Sequence, residues 1–328
     1  MGKTTGFFRT WMLPISMATG IAAYLLYRIL PFLHPLGPFA AACISRIQPV
    51  LIFAMLFLSF CKISPSQLRF RKWHVWLLLI QVSSFLALAG IARVLPCGRL
   101  LPVIEAGMLC MICPTATAAA VVTDKLGGDV PGLISYTVLI NIANAVTVPL
   151  IVPLLHPDAG MSFIGASLAI MSKVFPTLIC PALLAWLVRY CFPVIHGKIL
   201  LMKDAAFDIW AVSLCLAILM TVRAIWHSGT GFGILAAIAT VSLLSCIIQF
   251  AAGRRTGKRY SEEIAAAQAL GQKNTVFAIW TGYSFMDPVS AVAGGFYSIW
   301  HNIYNSWQLY RKQQNDLLER VESGLGTR

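Results

Sequence analysis

Gly271-Gln272-Lys273-Asn274-Thr275 interrupts an apolar stretch that resumes at once as Val276-Phe277-Ala278-Ile279-Trp280. In a chain that is 58% hydrophobic and 11% charged, a lysine at that place is costly. An ionisable group at membrane depth marks a functional site by default. The pentapeptide also carries Gly and Asn, so one helix has to stop here and another start within a single apolar span.

Working outward, apolar stretches of comparable length recur along the chain. About 20 apolar residues cross a hydrocarbon core of about 30 Å. Ten such ranges can be drawn: 9–31, 38–61, 73–95, 100–126, 130–155, 161–191, 204–224, 229–252, 261–284 and 288–310. Strand-like alternation is absent, which points to helices rather than a barrel. The ranges leave no room for a soluble domain, so residues 1–328 read as one membrane domain with 311–328 as a short cytoplasmic tail. The net charge of +13 follows the same plan. An inside N-terminus puts Arg28, Arg46, Arg93, Arg99 and Arg223 outside and Lys173 and Lys273 within spans; the other Lys and Arg fall inside. That bias predicts ten spans with both termini cytoplasmic, in a plasma membrane of the bacterial inner-membrane type. It is a topological signal and not a nucleic-acid footprint.

The fourth range has an interruption of its own, Cys113-Pro114-Thr115-Ala116-Thr117, where Pro114 must kink or unwind the helix. Each broken span is the fourth of five, and halves of five spans have opposite orientations. Matched interruptions in two such halves point to a carrier site near the midplane. Thr117 precedes Asp129 by 12 residues, as Thr275 precedes Asp287, and Asn141 with Asn144 echo Asn302 with Asn305. Half-helices starting near Thr117 and Thr275 would aim N–H groups and a positive dipole end at the crossing, which suits an anion. Thr115, Thr117, Asn274 and Thr275 would add hydrogen bonds there.

At these residues the chain resembles the bile acid:sodium symporter family. The family's fourth span reads roughly C-P-G-G-T-A-S-N-V, against Cys113-Pro-Thr-Ala-Thr-Ala-Ala-Ala-Val121. Its ninth reads roughly E-V-G-M-Q-N-S, against Ala269-Leu-Gly-Gln-Lys-Asn-Thr275. Tyr297-Ser298-Ile299-Trp300-His301-Asn302 is similar to its tenth-span signature, and Gln81 to its third-span glutamine. The resemblance implies an all-α membrane protein of ten transmembrane helices in two inverted five-helix repeats. A panel (about 9–61 and 161–224) would pack on a core (about 73–155 and 229–310) in which broken helices 4 and 9 cross. It also implies alternating-access transport of a small organic anion, with Asn302 on the substrate side and two sodium ions behind the crossing; His301 either joins Asn302 there or is a packing hydrogen-bonder.

The departures carry as much information. Family sodium ligands align with Ala119, Ala120, Leu133, Ala269 and Lys273, while Gln81 and Thr137 are retained. Alanine offers no oxygen, and an ammonium offers donors but no acceptor. Two unit charges about 4 Å apart repel by about 4 kcal/mol at an effective dielectric of about 20. The expectation is therefore that no sodium binds, and that the Lys273 amine takes a sodium ion's place. It would be met by carbonyls freed at the break and by groups such as Gln81 or Thr137, with Gln272 beside it. Burial disfavours the charged form of a lysine, so loss and uptake of its proton would couple transport to protons. A static cationic pin and a direct substrate contact are the other two readings.

Glu105 lies nine residues before Pro114, about 13.5 Å at 1.5 Å per residue, which places it at the outer interface; a proton relay or gate is the second reading. Asp124 and Asp129 read as loop or capping residues, Asp287-Pro288 as a helix start. Lys173 either snorkels or draws in anions. The nine cysteines, Cys110-x-x-Cys113 among them, read as packing residues. No HExxH, GxSxG or Walker-type loop is present, which argues against an enzyme and against ATP-driven transport by this chain alone. A conventional sodium symporter, and a non-transporting sensor or intramembrane enzyme, stand as rivals. No cofactor, metal or nucleic acid is expected, and partners reduce to a small organic anion, lipid, and in a homodimer a second copy.

Overall fold

The computed structural model describes residues 2–94, 98–157, 160–202 and 205–322. Among the described residues all regular structure is helical, and the one β-type contact is an isolated antiparallel bridge between Thr115 and Lys273. The helices are α1 (Gly2–Ile29), α2 (Gly37–Cys61), α3 (Lys72–Val94), α4 (Leu101–Ile112), α5 (Ala119–Leu126), α6 (Val130–Leu155), α7 (Phe163–Leu178), α8 (Cys180–Cys191), α9 (Pro193–Leu201), α10 (Ala205–Ser228), α11 (Phe232–Lys258), α12 (Glu263–Gly271), α13 (Thr275–Phe285) and α14 (Val292–Glu322).

Six stretches are long and apolar enough to cross a membrane: Pro31–Cys61, Lys72–Val94, Val130–Leu155, Phe163–Cys191, Asp208–His227 and Phe232–Lys258. Their outward faces carry large apolar side chains such as Leu79, Leu184, Ile247 and Ile248, each more than half exposed apart from Leu184. Lipid accounts for such surfaces, and the chain is a multi-pass membrane protein. The expected fourth and ninth spans are each occupied by two short helices, α4 with α5 and α12 with α13.

Three features add to the sequence reading. The tail expected from 311 is helical to Glu322, because α14 runs on with an i,i+4 pair, Lys312 to Asp316 at 2.6 Å; residues 323–328 lie outside the described residues, as do Lys203 and Arg328 of the charge pattern. The expected sixth span is split at Ile179, between Pro176 and Pro181, since each proline removes a backbone donor. A short helix, α9, fills the connection to α10.

The buried apolar residues fall into clusters that follow the helix pairs. One joins α2, α7, α8, α10 and α13 through Ile52, Leu56, Val174, Ala182, Leu214 and Phe277. A second joins α3, α5, α6 and α12 through Trp73, Leu77, Ala119, Leu133, Tyr136 and Ala269. A third joins α4, α11, α12 and α14. Where α11 meets α12 the backbones nearly touch: a Cβ added at Gly253 would lie 2.5 Å from the Ala266 carbonyl oxygen.

Candidate functional site

Both breaks fall where the sequence puts them, and they cross. Pro114 has no N–H to continue α4, and Gly271 ends α12 where a Cβ would lie 2.4 Å from the Phe250 ring. The two extended pieces run antiparallel. Asn274 N donates to Pro114 O and Ala116 N to Gln272 O, both at 2.8 Å. The bridge residues repeat the relation with their side chains. Thr115 Oγ1 donates to Ala269 O at 2.7 Å, and Lys273 Nζ donates to Met111 O at 3.3 Å. Each side chain thus reaches the carbonyl four residues before its bridge partner. The crossing has a local two-fold axis.

The carbonyls that end α4 can be accounted for one by one. Leu109 O accepts Cys113 N, Cys110 O accepts Gln249 Nε2, and Met111 O accepts Lys273. Ile112 O accepts Gln81 Nε2 and Asn144 Nδ2, and Cys113 O accepts Gln81 Nε2, all at 2.8 Å. On the other side Gly271 O accepts Tyr297 OH at 2.8 Å. An unpaired backbone group costs several kcal/mol away from water, so these side chains make a broken helix tolerable at depth.

Lys273 is 2% exposed. Its titratable neighbours are Cys110, Cys113 and Cys246, all buried and free, with no carboxylate among them. Carbonyl dipoles at the negative end of α4 are what it faces. Gln81 and Thr137, expected beside the amine, serve elsewhere: Gln81 Oε1 accepts Tyr136 OH at 2.7 Å, and Thr137 Oγ1 donates to Leu133 O of its own helix. Ala119, Leu133 and Ala269, at three expected sodium-ligand positions, lie in one apolar cluster and supply no side-chain oxygen.

In front of the crossing lie two adjoining cavities of about 320 and 230 Å³, sharing Ser59, Lys62, Ala116, Thr117 and Val121. The larger reaches Thr137 and Asp124; the smaller is lined by Gln272, Lys273, Asn274, Thr275, His301 and Asn302. Most of the sequence-derived candidates therefore meet in one crevice. Some polar atoms there have no protein partner among the described residues: His301 Nδ1 and Gln272 Oε1, both buried. Asn274 caps α13, its Oδ1 accepting Phe277 N at 3.2 Å, and Asn302 Nδ2 donates to Ser298 O.

Other expectations are corrected. Thr115 is buried and committed to Ala269 O, behind the crossing and not in the crevice. α5 starts at Ala119, two residues past Thr117, with Ala118 at the cap position and so without a side-chain oxygen to cap it. Glu105, expected at the outer interface, is fully buried in the protein: one oxygen pairs with His156 and the other accepts Asp287 N at 2.8 Å. The hydrogen bond to the Glu105 carboxylate raises the His156 pKa above its ordinary value, against a smaller opposing effect of burial. Asp129 and Glu262 share Arg71, at 2.7 and 3.2 Å, a pairing that spacing alone does not announce. Lys173 is exposed, 5.7 Å from the centre of the Phe285 ring.

Sequence reasoning passed over Lys62 and Ser59 at the crevice, and Gln249 and Tyr297 among the capping groups. Gln249 carried a usable signal, a lone amide deep in an apolar run as Gln81 is. A comparison with protein-family models and with curated proteins gives no match to the chain.

Proposed function

We propose that this protein is a secondary carrier of a small organic anion, with the Lys273 ammonium in place of a co-transported sodium ion. The observation that carries this reading is the two-fold crossing, with Lys273 buried against Met111 O and a crevice before it lined by Gln272, Asn274, Thr275, His301 and Asn302. Inside the crevice the Asn274-capped start of α13, His301 and Lys62 favour a carboxylate. The local two-fold axis supports an arrangement of ten spans in two inverted repeats. α1, the α4–α5 pair, the α12–α13 pair and α14 would then complete the six long apolar spans. In this reading the panel would meet the core where α13 packs on α2 and α10, the apolar cluster that holds Ile52, Leu214 and Phe277. Sliding of the panel past the crossing would expose the crevice to each side in turn, in a plasma membrane with both termini inside.

Four positions that align with cation-holding groups of the family it resembles are apolar here, Ala119, Ala120, Leu133 and Ala269, so a sodium-coupled cycle has no carboxylate to rest on. Proton exchange at Lys273 supplies the coupling instead, and the protein is not an enzyme. Purified protein in proteoliposomes tests this. Saturable counterflow of a carboxylate, the same in sodium and in potassium, is the expected result. Uptake that requires sodium overturns the role given to Lys273, and turnover of the solute into a product overturns the carrier reading.

A further inference from the structure

Away from the crevice, the start of α3 and the end of α11 enclose a groove of about 130 Å³ lined by Trp76, Ile80, Arg255, Thr256, Arg259 and Tyr260. Trp76 Nε1 donates to Tyr260 OH at 2.9 Å, so an aromatic pair fixes the floor between the two helices. Arg255 and Arg259 stand four residues apart, one turn, on the same face, and both are exposed. The carboxylates nearby are already taken. Arg71 holds Asp129 and Glu262, and Arg254 holds Glu263. Among the described residues neither Arg255 nor Arg259 has a carboxylate partner. The α11 C-terminus contributes about half a negative charge, which offsets only part of theirs.

The surface leading away from the groove is apolar. On α11 the stripe Leu244, Ile248, Arg255, Arg259 follows helical spacing and changes from exposed apolar to cationic. On α3 the stripe Leu86, Leu79, Trp76, Lys72 makes the same change in the same direction. Both helices are long and apolar enough to span a membrane. A ligand that fits has an anion at one end, matched to two guanidinium groups, and an extended apolar remainder beside it. Guanidinium suits a phosphodiester because its planar fork gives two parallel hydrogen bonds.

We propose that this groove binds the phosphodiester headgroup of an anionic phospholipid, with Arg255 and Arg259 on the phosphate, Trp76 at the glycerol level and the acyl chains on the Leu79–Ile248 face. The site does not depend on what the crevice transports. Delipidated full-length protein, titrated in detergent with phosphatidylglycerol, cardiolipin or phosphatidylcholine and read by native mass spectrometry, tests it. The anionic lipids should be retained well above phosphatidylcholine. Each arginine removed should weaken retention about five-fold, and Arg255→Gln with Arg259→Gln together by more than ten-fold. The charge-keeping Arg255→Lys should lose less than Arg255→Gln, a comparison that holds even where the double variant is unstable. Equal retention by wild type and the glutamine variants overturns the proposal. So does displacement of the lipid by an equal concentration of glycerol 3-phosphate, which would mark a site for free phosphate.

Discussion

At Lys273 the question is what an ammonium does where no carboxylate answers it. Its hydrogen bond to Met111 O places it at the last turn of α4, where carbonyl dipoles favour a cation. Thr115, its bridge partner, does the same task with a hydroxyl, so capping alone does not require a charge. The charge itself is then the functional part. Arginine separates a fixed cation from one that exchanges its proton, because guanidinium does not deprotonate in proteins. With proton exchange as the coupling step, Lys273→Arg should abolish net uptake. Lys273→Gln should leave slow counterflow that no longer changes between about pH 6 and 9. Both are read in proteoliposomes under an imposed pH gradient. A Lys273→Arg protein that still accumulates substrate would reduce the lysine to a static pin.

Among the elements, the broken helices were the most legible part of the chain, because Pro114 and Gly271 are local signals and their matching positions survive without any contact information. The partners that make the breaks affordable were harder to find. Gln81 was visible as an amide in an apolar run, yet its targets, Ile112 O and Cys113 O, lie 31 and 32 residues away. Glu105 is a related case: counting residues along α4 gives depth but does not reveal that His156 and Asp287 close over it. Likewise α14 continued past 310 because amphipathic helix needs no apolar span to persist once it is started. Gln81→Leu tests the capping role at this scale. It strips three hydrogen bonds, leaving Cys113 O and Tyr136 OH without partners while Asn144 still serves Ile112 O. At about 1–3 kcal/mol for each of the two buried groups left unpaired, a loss of about 2–6 kcal/mol is expected. Thermal unfolding in detergent would report it, and an unchanged midpoint would mean that the freed carbonyl and hydroxyl find water.

For the molecule as a whole, the crevice and the Glu105–His156 pair sit towards different ends of α4, and they bear differently on pH. The pair joins α4, the end of α6 and, through Asp287 N, the turn that leads into α14. His156 has a raised pKa in the folded protein because Glu105 bonds to its charged form. A histidine in the unfolded chain titrates near about 6.5. The stabilisation from this pair is therefore complete below about pH 6.5 and is lost as pH rises through the higher folded value. Stability of the wild type should fall across that window, and His156→Gln should be less stable at its acid end while changing little with pH within it. The measurement is thermal unfolding at closely spaced pH from about 6 to 9. Because His156 lies outside the crevice, this slope should persist in Lys273→Gln, whose uptake has lost its own pH dependence. If the two slopes vanish together, the distant pair and the crossing are one coupled unit, and the proposed alternating access has to include opening of the Glu105 clasp.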